Sequence, residues 1–218
     1  MDLVLLIGVL ILNVLISIWN CYAVGSAWKD VQTMGSTFDK VLMWSGIIQS
    51  GVGFSMPILI ALAYGASVLL TGGEKPVLTP SEAKELMQSI FSLWYVAVIF
   101  PILGSGIAIW AHSIRVAFHK RDFASIAAAG WNTYAQISNT VSAVNNLGGA
   151  FGDVGKLFGS ALGGKGDSKN KVAILAIMLV VISLVAGFMI ALGLVRFFAS
   201  RASSRLEEYA DSYNPRRT

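Results

Sequence analysis

The chain has 218 residues, 55% of them hydrophobic and 13% charged, with a formal net charge of +4 and a mean hydropathy of +0.68. Soluble domains carry about 25% charged residues, so a water-solvated core cannot absorb this much apolar surface and lipid must solvate much of it. The small basic excess forms no stripe of the kind that binds nucleic acid, and one cysteine, Cys21, excludes an internal disulfide.

The charges are segregated along the chain. Leu3–Trp28, Val41–Gly73, Leu86–Ile114 and Val172–Val195 contain no Asp, Glu, Lys or Arg. Each window exceeds the roughly 20 residues that a helix needs to cross a hydrocarbon core. Backbone groups in lipid must be bonded within the chain, so these windows predict helices. The expected fold is all-α: a polytopic membrane protein in one domain, 1–218, with about four transmembrane helices over 3–22, 41–70, 86–114 and 172–195.

The first span opens on Asp2 rather than a basic region, is longer than a signal-peptide core, and lacks an Ala-x-Ala site. It reads as a retained span. Trp19, Asn20 and Tyr22 near its end are expected interfacial anchors. A short amphipathic piece over 26–40 follows, then the second span. Gly72-Gly73, Pro76 and Pro80 mark a loop. Thr79-Pro80-Ser81-Glu82 has a capping residue, a first-turn proline and an acidic residue, the signature of a helix start.

The second and third spans carry Pro57 and Pro101 near their middles. Proline removes a backbone hydrogen bond and kinks a helix. Gly51 and Gly53 precede the first proline, and Gly104 and Gly106 follow the second. In an antiparallel hairpin both glycine pairs fall at one depth. They predict either close packing through small residues or a broken-helix gate.

After the third span His112, Arg115, His119, Lys120 and Arg121 form a basic collar suited to anionic lipid headgroups or a partner. Arg115 between the two histidines argues against metal or haem ligation. The region 115–171 is expected outside the membrane or at its surface, as amphipathic or interfacial helices. Trp131, Asn132 and Tyr134 echo Trp19, Asn20 and Tyr22. The echo reads either as a duplication, which would give parallel repeats, or as a second interfacial anchor. Gly152, Gly155, Gly159 and Gly163 recur at three- and four-residue spacing. They predict either a flat helix-packing face or a flexible loop, because each glycine costs a helix about 1 kcal/mol. The last span is followed by a charged tail, 196–218, in which 200–209 reads as a helical extension ended by Asn214-Pro215.

Four crossings place the start of the first span and the tail on one side, leaving nine Lys and Arg opposite seven. That balance fixes no orientation by the positive-inside rule. No phosphate loop, zinc motif, nucleophile elbow or intramembrane carboxylate pair is present. The expectation is a non-enzymatic integral-membrane subunit of an oligomeric channel or of a translocation- or secretion-type assembly. It would take no cofactor, partner with lipid and with copies of itself or other membrane subunits, and sit in a bacterial or archaeal cell membrane. Two alternatives are a small solute or ion transporter using the kinked hairpin and a pore-forming effector of a phage or defence system.

Overall fold

Long helices separated by short breaks make up the computed structural model, which describes residues 3–72, 78–162 and 168–212. They are α1 (Leu3–Met34), α2 (Thr37–Thr71), α3 (Pro80–Lys120), α4 (Phe123–Leu162) and α5 (Ser168–Ser212), with no strand among the described residues. Helices α1, α2, α3 and α5 each contain a window long and apolar enough to cross a membrane, with mean hydropathies of 1.9 to 2.9. The chain is therefore an all-α, multi-pass integral membrane protein.

The helix starts follow from local chemistry. Ser36 caps α2 in a capping box with Asp39, and Thr79 caps α3 in a second box with Glu82, with Pro80 in the first turn as expected. Arg121 closes α3 in the left-handed region, at φ 53°. Asp122 then accepts the Ser125 backbone N–H at 2.7 Å at the start of α4.

Two expectations change. No separate amphipathic piece forms over 26–40: α1 runs on to Met34, because nothing in Lys29–Met34 stops a helix before Gly35. The expected helical extension over 200–209 is present, as the continuation of α5 to Ser212, while Asn214 and Pro215 lie outside the described residues. The glycine-rich stretch up to Leu162 is neither a loop nor a second helix but the latter half of α4. Packing of Ala143, Ala150, Val154 and Leu157, all buried, offsets the low helix propensity of its glycines. Gly163 lies outside the described residues.

Helix directions decide which elements end together. Helices α3 and α4 form an antiparallel hairpin along most of their length: Trp110 Nε1 bonds Thr133 near one end, and Gln88 Nε2 bonds Asp153 near the other. Because α4 returns along α3, α5 starts beside the start of α3 and runs parallel to α1. The parallel pairing is visible where the Cys21 thiol donates to the Ala191 carbonyl and where Gly25 abuts Val195 and Phe198. The end of α5 thus lies at the far end of the bundle from the start of α1.

One core joins Cys21, Met43, Ile47, Phe54, Ala191 and Val195 of α1, α2 and α5. The other joins Leu59, Leu86, Ile90, Leu157, Ala176 and Val180 across α2, α3, α4 and α5. Between them lies the Pro57 turn of α2. Pro57 has no N–H to donate to the Gly53 carbonyl one turn earlier. Asn13 of α1 supplies the missing donor, its Nδ2 lying 3.2 Å from that oxygen. A Cβ on Gly53 would collide with Ser17 Oγ, and one on Gly187 of α5 would collide with the Gly51 carbonyl and lie 2.7 Å from Ser55 N. Glycine at 53 and 187 is therefore what lets α1 and α5 close on the kinked turn of α2.

Asn13→Ala should lower unfolding stability in detergent by about 1 kcal/mol, the scale of hydrogen bonds between membrane helices. In a Pro57→Ala background, where the substituted backbone N–H can bond the Gly53 carbonyl directly, the same change should cost distinctly less. Losses that simply add in a double-mutant cycle would contradict the assignment.

Candidate functional site

A polar seam runs where α2, α3 and α4 meet. Gln49 Nε2 donates to the Ile102 carbonyl at 3.1 Å and to Ser105 Oγ at 2.8 Å. Ser105 Oγ in turn donates to the Pro101 carbonyl at 2.6 Å. From α4, Gln136 Nε2 reaches the Leu103 carbonyl at 3.4 Å. A Cβ on Gly106 would collide with Gln136 Oε1, so Gly106 admits this glutamine. Behind the seam Ser50 Oγ donates to the Ser17 carbonyl at 3.0 Å, which carries the polar line across to α1. Every donor here is uncharged, and in a low-dielectric setting each bond orients a helix without the cost of burying an ion.

The seam marks a depth common to all these helices. Within about two turns of it, toward the end where α1 and α3 finish, lie Trp19 and Tyr22, Trp44, Trp110, and Trp131 and Tyr134. The two Trp–Tyr pairs that echo in sequence also match in geometry. Their ring centroids are 5.8 and 6.1 Å apart, each with planes tilted by 42°. All four rings are exposed, while Asn20 and Asn132 are half-buried. Just beyond this belt stand the collar residues. His112 faces Phe38 of α2 with ring centroids 6.4 Å apart. Arg115, His119, Lys120 and Arg121 are exposed, with His119 Nδ1 2.9 Å from the Arg115 carbonyl oxygen. At Asp122 the backbone N–H and hydroxyl of Ser125 hold the carboxyl below its usual range. No group of three or more His, Cys, Asp and Glu among the described residues is placed to hold a metal ion.

The kink residues do not gather into one place. Gly51 meets the Phe188 ring of α5, Gly53 meets α1, Gly106 meets α4, and a Cβ on Gly104 would meet nothing within 4 Å. Pro57 sits near the level of Trp94, whose Nε1 bonds Ser55, whereas Pro101 sits near that of Gln49. A shallow cleft of about 430 Å³ lies over Pro101, lined by Trp44, Ser45, Gly104 and Ser105. At the opposite end of the bundle a second cleft of about 430 Å³ lies between α3, α4 and α5, lined by Glu82, Glu85, Gln88, Asp153 and Lys156. There Asp153 accepts bonds from Gln88 Nε2 and Ser92 Oγ, both at 3.0 Å.

The glycines of α4 point outward. Gly148, Gly152, Gly155 and Gly159 have nothing within 4 Å of where a Cβ would stand, so within one chain the glycine stripe packs against no other helix. Ser138 and Asn145 are exposed on the same side of α4.

No separate sequence signal marks Gln136 or Gly187. For Asp153 the missed clue is charge spacing. From Phe123 to Gly152 α4 has no charged residue, and the first to break the run, Asp153, bonds two side chains of α3. Gly106→Val should push Gln136 away and cost about 1–3 kcal/mol, the range for overpacking, as read by thermal unfolding in detergent. Gly104→Val should be nearly silent. Equal effects at the two positions would contradict the seam.

Comparisons with known proteins identify no relative: no family model, no curated protein and no solved structure matches this chain.

Proposed function

We infer that this chain is a non-enzymatic membrane subunit that associates through α4 with further copies of itself, forming an oligomeric channel or translocation-type assembly. One observation carries the reading. Alongside the apolar length of α3, helix α4 turns outward a stripe made of Gly148, Gly152, Gly155 and Gly159, with Ser138 and Asn145 beside it. Small residues in register let helix backbones approach closely in lipid, where van der Waals contact and interhelical hydrogen bonds drive association. Uncharged polar side chains facing lipid are costly and gain from either a partner helix or water in a lumen. Exposed apolar residues flank the stripe, among them Ile137, Val144 and Phe151, so that face can be partly lipid-bound and partly in contact with a partner.

The transporter alternative draws less support, because Gly51, Gly53 and Gly106 are committed to three different neighbours and Gly104 to none. A detachable pore-forming segment also fits less well, since 148–162 is continuous with the helix that packs along α3.

Native mass spectrometry of protein released from lipid nanodiscs tests the reading. The wild type should appear as an oligomer, and the Gly152→Leu,Gly155→Leu variant should shift toward monomer at unchanged helicity. A monomeric wild type would overturn the proposal.

A further inference from the structure

The helix that hydropathy passes over has the dimensions and placement of a membrane span. Helix α4 lies beside α3 from the level of Trp110, which bonds Thr133, to that of Gln88 and Ser92, which bond Asp153. At about 1.5 Å per residue, α3 covers about 33 Å between Gln88 and Trp110, close to the roughly 30 Å of a hydrocarbon core. Over this length α3 is itself an apolar candidate span. Its partner cannot lie on the membrane surface while hydrogen-bonded to it at both ends. The composition agrees. Phe123 to Gly152 contains no Asp, Glu, Lys or Arg, and such a run of helix reaches about 45 Å. Trp131 and Tyr134 stand at the belt depth of Trp110. Glycine, serine, threonine and asparagine lower the mean hydropathy of α4 without placing a charge at depth. Connectivity requires the same thing. Helices α3 and α5 run in the same direction, so the chain must return through the membrane between them.

We propose that α4 is a fifth membrane crossing, and that the end of the bundle where α1, α3 and α5 finish rests on the anionic cytoplasmic leaflet. The fifth crossing redistributes the charges. Lys29, Lys40, Arg115, Lys120 and Arg121 now share an end with Arg196, Arg201 and Arg205 of α5. The opposite end keeps Lys84, Lys156, Lys169 and Lys171 among the described residues. Counted over all sixteen Lys and Arg of the sequence, the nine against seven of four crossings becomes ten against six with five. Lys and Arg near the ends of spans are retained on the cytoplasmic side, where anionic headgroups attract them. The Trp and Tyr belt lies at this same end, at the depth where such rings meet headgroups. The crossing does not depend on whether copies associate.

Single cysteines at the two ends of α4 decide the matter. In a Cys21→Ala background, Ala124→Cys and Leu162→Cys place thiols at exposed positions at the start and end of α4. Ser81→Cys and Ser200→Cys mark α3 and α5. A membrane-impermeant maleimide is applied to right-side-out and to inverted vesicles from expressing bacteria. Leu162→Cys and Ser81→Cys should label in right-side-out vesicles, and Ala124→Cys and Ser200→Cys in inverted ones. Labelling of Ala124→Cys and Leu162→Cys from the same side would overturn the crossing. Opposite-sided labelling with the two groups exchanged would overturn the assignment to the cytoplasmic leaflet.

Discussion

A carbonyl oxygen without a donor inside its own helix organises this molecule. In lipid no water can satisfy the Gly53 carbonyl that Pro57 leaves open, and the Asn13 side chain of α1 does so. That bond requires α1 to approach α2 closely, which requires glycine at 53. Helix α5 closes on the next face of the same turn through Gly187. The resulting three-helix core fixes where α3 and α4 can attach. It also explains an otherwise odd residue, since asparagine in the middle of a first span has little place there except as a donor. Proline kinks of this kind persist in membrane helices because neighbours satisfy the freed backbone.

A second constraint, uncharged polarity, shapes the other half. Helices α2, α3 and α4 are held by Gln49, Ser105, Gln136, Trp110 and Thr133, and no charged side chain joins these bonds until Asp153 near the far end. Two glutamines orient three helices without the desolvation penalty of an ion pair. The same economy makes α4 hard to recognise, because its polar content resembles that of a surface segment while its lack of charge resembles that of a span.

The four apolar spans and the helix start at Thr79 were legible in the sequence, because charge segregation and cap chemistry act locally. The direction of α5 was not. It depends on whether 123–162 folds back along α3, and that rests on contacts such as Gln88 to Asp153 that no local pattern announces. The glycines divided in the same way. Their spacing predicted flat helix faces, but only the tertiary arrangement reveals that Gly53 and Gly106 receive neighbours inside the chain while Gly152 and Gly155 face outward. The Trp–Tyr echo was visible in the sequence, and both pairs hold a similar ring geometry at one end of the bundle.

The central claim is that α4 lies at bilayer depth with a polar, glycine-rich side turned away from α3. Site-directed spin labels at Ala127, Ile137, Val144 and Phe158, followed by power-saturation EPR in nanodiscs, report depth at each position along the helix. The account predicts that accessibility to oxygen over a water-soluble nickel chelate is greatest at Ile137 and Val144 and falls toward Ala127 and Phe158. Uniformly high accessibility to the chelate along all four positions would place α4 in water and contradict it.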